Sequence, residues 1–151
     1  WYRRQRQMCI RDRLYTYFIM TIKSSQELVE NALQEIKTLS VDDALKLVKE
    51  DKCNLDDIRD IRELWRDGTI KGALHIPRGM LEFWLDPNSQ YYNKNKFSKD
   101  KKLILFCAAG MRSALAAKTL KDMGYNNIAH AEGGFGSLAN QGLEIVIKEK
   151  K

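Results

Sequence analysis

Leu103 to Phe106 form an unbroken apolar run, the pattern of a strand covered on both faces in a parallel sheet. From about Ser113 the period becomes helical: Ala116, Ala117, Leu120 and Met123 share one face, while Lys118, Lys121 and Asp122 lie off it. Gly124 then supplies a left-handed stop. The stretch reads as strand, short loop and helix, with Cys107 at the strand's C-terminal end, where open α/β sheets place their ligand sites.

The remaining pattern supplies scaffold for that junction. Ser24 and Glu27 form a capping box ahead of a helix that carries Leu28, Val29, Ala32, Leu33 and Ile36 on one face, and core packing is the expected use of that face. Ser40 caps a second helix with Val41, Ala44, Leu45 and Val48 inward. Leu55 to Ile58 form the next strand, where Asp56 stands at a position that should be apolar; either the strand is distorted or the carboxylate is paired. Glu63 to Asp67 make a short helical turn ended by Gly68, with Trp65 expected in the core. Ala73 to Ile76 form a short strand carrying His75. Pro77 to Pro87, through Met80, Leu81, Phe83, Trp84 and Leu85, give an apolar helical turn expected to wall a substrate pocket beside the Cys107 loop. Residues 88–102 are polar, with Tyr91, Tyr92 and Lys94, Lys96, Lys99, Lys101 and Lys102, and read as a solvated loop. Ile128 to Ala131 make a last short strand carrying His130, Gly133 and Gly134 allow a tight turn, and Ile145 to Ile147 are the last apolar residues.

The expected fold class is α/β: a small open, mostly parallel sheet flanked by helices, with an extra N-terminal helix. The expected division is a tail at 1–22, the N-terminal helix at 23–37 and one domain at 38–151. With 151 residues, 44% of them apolar, the chain is long enough for one sizeable core and too short for two.

Charge changes the picture little. Of the formal +6, residues 1–19 contribute +4, through five arginines and one aspartate, so the rest of the chain is nearly balanced. No nucleic-acid footprint is inferred, because that needs basic residues clustered on a folded face. Residues 1–22 faintly resemble a signal peptide but lack a small-residue cleavage site, and their apolar part is far too short to span a membrane. The string MCIRDR is similar to translated adapter read-through, so the expectation is a spurious or disordered tail with Met20 as the native start. Cys9, Cys53 and Cys107 make neither a C-x-x-C pair nor a zinc-ligand spacing, so no metal is expected, and a reducing, cytoplasmic setting is the default.

At the end of a strand and before a helix, Cys107 faces unpaired backbone N–H groups and the positive end of a helix dipole, which favour thiolate over thiol. Arg112 adds positive charge, and such settings lower a thiol pKa from roughly 8.5 to about 3.5–7.5. Ala108, Ala109 and Gly110 are small enough for the loop to curl its amides around the sulfur. Four residues separate Cys107 from Arg112, one fewer than the phosphate cradle of the cysteine phosphatases. The histidines His75 and His130 read as satisfied structural residues, since a stabilised thiolate attacks without a base.

The run Cys107, Gly110, Arg112, Ser113 resembles the C-x-x-G-x-R-S loop of the rhodanese family of sulfurtransferases. Asp57, Arg59, Gly68, Ile70, Gly72, Ala73, Ile76 and Pro77 are similar to that family's first motif block, and EGGFGSLANQGL to its closing block. Leu138 stands where the family often has tryptophan, which implies looser local packing. The resemblance implies a rhodanese-like domain in which Cys107 carries a persulfide and the loop Ala108, Ala109, Gly110, Met111, Arg112 and Ser113 holds its charge. It implies Asp57 as an anchor, Arg59 as a second cation or a plain ion pair, and Arg78, Gly133 and Gly134 as supporting residues. It also implies a small sulfur donor, a thiol or cyanide acceptor, a sulfur-relay protein partner and no cofactor. A persulfide carrier or interaction module with little turnover stands as the alternative.

Overall fold

The computed structural model describes residues 22–94 and 100–150. The expected tail up to residue 21, Cys9, Lys96 and Lys99 lie outside the described residues.

In chain order the elements are α1 (Ser25–Glu35), β1 (Thr38–Leu39), α2 (Val41–Lys49), β2 (Cys53–Asp57), α3 (Ile61–Asp67), β3 (Thr69–Ile70), β4 (Leu74–His75), a 3-10 turn (Arg78–Met80), α4 (Leu81–Leu85), β5 (Lys102–Phe106), α5 (Met111–Asp122), β6 (Ile128–Ala131), α6 (Gly134–Asn140) and β7 (Ile145–Val146). Five strands form one sheet in the order β1-β6-β5-β2-β4, and every neighbouring pair in it is parallel. The small antiparallel pair β3-β7 was not expected, because two-residue strands carry no readable period.

Alternation along β5 explains the layers. Leu103, Leu105 and Cys107 pack with Leu81 and Leu85 of α4 and with Ala116, Ala117 and Leu120 of α5. Ile104 and Phe106 face the other way, toward Ala44 of α2, Ile70 of β3 and Leu138 of α6. Leu138 is fully buried there, so the smaller side chain still closes the layer.

Ser24 accepts the Glu27 amide at 3.1 Å and Ser40 the Asp43 amide at 3.2 Å, as the capping pattern requires. Helix α1 docks on α5 through Val29 and Ala32 against Ala114. Its expected apolar face is only partly used: Leu28 and Leu33 remain 44% and 41% exposed. Trp65 is half-buried under Lys150, 5.4 Å from the ring centroid, rather than in the core.

The charged residues of β2 each accept hydrogen bonds at the strand's end. Asp56, fully buried, accepts the Ile76 amide at 2.9 Å just beyond the end of β4, sharing that amide with the Asp57 carbonyl at 3.3 Å. Asp57 accepts the Arg59 amide (3.1 Å), Arg59 Nε (2.9 Å) and the other guanidinium nitrogen (2.7 Å), together with the Thr69 hydroxyl at 2.6 Å. Arg59 also donates to the Gly68 carbonyl at 2.7 Å and lies over the Phe135 ring at 4.0 Å. One buried ion pair thus ties the end of β2 to the α3–β3 junction and to α6.

Removing one partner strands the other charge in the core. Arg59→Met is expected to cost about 3–5 kcal/mol in urea unfolding. A loss under about 1 kcal/mol would show that the pair is not a structural clamp.

Candidate active site

The sheet order sets the location of the site. From β5 the chain moves to β6 on one side, while from β2 it moves to β4 on the other, so the loops after β5 and β2 diverge and leave a crevice at the sheet's C-terminal edge. The Ile58 amide donates to the Phe106 carbonyl at 3.1 Å and keeps the two strand ends in register. Cys107 follows at once.

The loop turns at Gly110, whose φ of +101° suits glycine, and α5 starts at the next residue. That turn brings the Gly110 amide to 3.1 Å from Cys107 Sγ. Behind the loop, Gly133 and Gly134 have φ of +72° and +62°. A Cβ on Gly134 would meet the Ala108 carbonyl oxygen at 2.7 Å and collide with that of Cys107, so only glycine allows the two turns to touch. The Phe135 amide donates to the Cys107 carbonyl at 2.7 Å across that contact.

Burial pushes the Cys107 thiol up, but hydrogen bonds oppose it: from the Ser113 hydroxyl, and from the backbone N–H groups of Ser113, Gly110 and Ala109. The donors win, and the pKa lies below the ordinary thiol value. Cys107 is 1% exposed, so the sulfur sits on the floor of the loop beneath the exposed Ala108 and Ala109 and is reached only by a small group. Cys53 is the contrast: buried in the opposite layer, its thiol is pushed up by desolvation.

Arg112 lies beside the loop, but not as a lone cation. Its guanidinium forms a two-pronged ion pair with Glu63 of α3, at 2.7 and 3.1 Å. Glu63 holds the Arg112 pKa up, and Arg112 holds the Glu63 carboxyl below its ordinary value. The sequence reading used Glu63 only to start a helical turn, and no local spacing links residues 49 positions apart.

Arg59 is not a second cation for the site. It is 1% exposed and committed to Asp57 and Gly68, which corrects one of the two roles the resemblance allowed. Arg78 is exposed in the 3-10 turn, with its amide on the Ile58 carbonyl at 3.0 Å; no hydrogen bond among the described residues joins its side chain to the loop. Met111 is 55% exposed at the start of α5. The apolar turn of α4 gives Leu81 and Leu85 to the core and leaves Phe83 exposed. His75 Nε2 lies 2.8 Å from the Arg59 carbonyl, a structural contact. His130, by contrast, reaches the site: its Nδ1 is 3.2 Å from Ser113 Oγ, which is 3.6 Å from Cys107 Sγ.

Among the described residues no group of three or more His, Cys, Asp or Glu side chains is placed to hold a metal, and no helix is long and apolar enough to cross a membrane. The arrangement favours an anionic sulfur nucleophile, with amide donors positioned to share any negative charge passed outward from it.

A family model for the rhodanese-like domain matches residues 40–141. Among solved structures, a protein of unknown function from Rhodopseudomonas palustris, described as a possible tyrosine phosphatase, is 45% identical; the match covers 83% of this chain and 97% of that one, with a TM-score of 0.77. The polysulfide-sulfur transferase homodimer of Wolinella succinogenes is 33% identical over 80% of this chain and 85% of that one, with a TM-score of 0.63. The chloroplastic rhodanese-like domain-containing protein 9 of Arabidopsis thaliana is 29% identical over 138 residues, 74% of this chain and 58% of that protein. The chain spans less than two thirds of the length of the curated relatives it matches.

The depressed thiol makes a direct prediction about reactivity. Alkylation of Cys107 by iodoacetamide in the folded protein is expected to reach half its limiting rate at a pH below the ordinary thiol pKa of about 8.5. Labelling only after unfolding would mean that the sulfur is sealed in packing.

Proposed function

The chain belongs to the rhodanese-like domain family, and from that premise we propose that it is a sulfurtransferase that moves sulfane sulfur through a persulfide on Cys107. The observation that carries this reading is the convergence of Ser113 and loop amide donors on one sulfur at the end of the central strand.

The Cys107 thiolate attacks the outer sulfur of thiosulfate or of a persulfide. A new S–S bond forms, the donor's S–S bond breaks, and sulfite or a thiolate leaves with the electron pair. The outer sulfur on Cys107 now carries the charge, and the amides of the Ala108 to Arg112 loop are the groups positioned to share it. An acceptor thiolate or cyanide then attacks that sulfur and returns Cys107 as thiolate. No proton has to be removed from Cys107 during attack, so no general base enters, and neither does a cofactor. Because Arg112 is paired with Glu63, the charge beside the loop is largely balanced, and the loop amides carry most of the selection for anionic donors. A sulfur-relay protein is the natural partner class, and a reducing compartment such as the cytoplasm suits a free thiolate.

One described relative favours a different reading, phosphatase chemistry. The four-residue span from Cys107 to Arg112 argues against it, because a tetrahedral phosphate needs the wider five-residue cradle. The carrier alternative uses the same persulfide without turnover on small donors.

A panel of donors assayed by cyanolysis separates these. Wild-type protein is expected to turn over thiosulfate or a persulfide, and Cys107→Ser to lose that activity by about three orders of magnitude or more while keeping its fold. Retained transfer in Cys107→Ser would defeat the assignment. Cys107-dependent hydrolysis of an aryl phosphate without sulfur transfer would establish the phosphatase instead, and a loaded Cys107 with no small-donor turnover the carrier.

A further inference from the structure

Ser113 Oγ has one proton and three neighbours able to take it. Cys107 Sγ lies at 3.6 Å, the Gly110 carbonyl oxygen at 3.0 Å and His130 Nδ1 at 3.2 Å. Which neighbour receives it decides whether the sulfur keeps its side-chain donor. On the far side of the imidazole, His130 Nε2 lies 3.0 Å from Thr38 Oγ1. Thr38 is paired with His130 across β1 and β6, and β1 is the edge strand. Thr38 and His130 line a cavity of about 310 Å³ between α1 and the loop, together with Leu33, Gly110 and Glu132. A continuous polar chain therefore runs from the buried sulfur to the surface through Ser113, His130 and Thr38.

We propose that Thr38 and His130 are positioning residues that aim the single hydroxyl proton of Ser113 at the Cys107 sulfur. The inference rests on Cys107 being the nucleophile of the reaction proposed above. A neutral imidazole carries one proton, and its place is set by the bond that the other nitrogen makes. When the Thr38 hydroxyl donates to Nε2, the ring proton sits on Nδ1 and is donated to Ser113 Oγ. Ser113 then has no acceptor in the ring. Its proton turns to the thiolate, whose full charge outcompetes the Gly110 carbonyl. The opposite tautomer draws the Ser113 hydroxyl toward the imidazole and takes that donor away from the sulfur, leaving the backbone amides and Arg112.

Burial keeps the imidazolium out of this chain. His130 is almost fully buried and desolvation lowers its pKa, opposed by Glu132, so the ring stays neutral with a single proton, and the Thr38 hydroxyl on Nε2 is what places that proton on Nδ1. Of the other charged groups near the sulfur, Asp57 is paired with Arg59 at the end of β2, and Arg112 on α5 is paired with Glu63 while also acting on Cys107 independently of the histidine. A buried histidine serving only as packing would need none of this order.

The test is the pH dependence of Cys107 alkylation by iodoacetamide, measured on the full chain with Cys107 labelling assigned by mass spectrometry. Ser113→Ala is expected to raise the apparent pKa by about one unit, the worth of one hydrogen bond to a charged group. Thr38→Val and His130→Leu shift it the same way by less. His130→Asn retains a side-chain N–H directed at Ser113 and returns the profile toward the parent. If Thr38→Val and His130→Leu titrate with the parent while Ser113→Ala is shifted, the hydroxyl is aimed without them and the proposal is wrong. An unshifted Ser113→Ala overturns it equally. Should His130→Leu fail to fold, Thr38→Val on the exposed edge strand decides alone. The readout is thiol titration rather than turnover, so a parent protein without sulfurtransferase activity would defeat the function and leave this result intact.

Discussion

A backbone amide 3.1 Å from a cysteine sulfur is the contact on which the rest of this structure depends. The sulfur is buried, and burial alone would keep it as a neutral thiol. The Gly110 and Ser113 donors reverse that preference; the backbone amides are fixed by the fold, and the Ser113 hydroxyl is added to them. Gly110 needs its left-handed backbone, and Ser113 needs α5 to begin at Met111. Donors held in place before any substrate arrives spend nothing on reorganisation when charge appears.

The scaffold serves that contact from two sides. Beneath it, β5 is the central strand of five, buried along its apolar length, so the position of Cys107 is set by the core itself. Behind it, the Gly133–Gly134 turn presses against the loop so closely that a single methyl group would part them. The Asp57–Arg59 pair closes the neighbouring strand end and ties it to α6, whose first residues form that same turn. The clamp and the loop are thus joined through the backbone of residues 133–135, and loosening the one is felt by the other.

The strand, loop and helix around Cys107 were legible in the sequence because a continuous apolar run and a helical period meet there without ambiguity. Ile128 to Ala131 was legible for the same reason, and its bounds agree with the structure. The fold class and the family follow from these elements and from the motif glycines. Other features were hidden for physical reasons. Met123 keeps the helical period but stands at the cap of α5, where the surface is open, and is 40% exposed. Asp56 looked anomalous in a covered strand because its partner, the Ile76 amide, comes from 20 residues further along, beyond the end of β4, and no local pattern encodes that contact. Glu63 and His130 were missed as site residues because their links to Arg112 and Ser113 are tertiary, and no local pattern encodes them.

The central claim is that the cradle stabilises a negative charge on sulfur well enough to carry a second sulfur atom. The most direct measurement is intact-protein and peptide mass spectrometry after incubation with thiosulfate and removal of excess donor. The account predicts one added sulfur atom, localised to the peptide containing Cys107 and released by cyanide. A protein that gains no mass, or gains it on Cys53 instead, would contradict it.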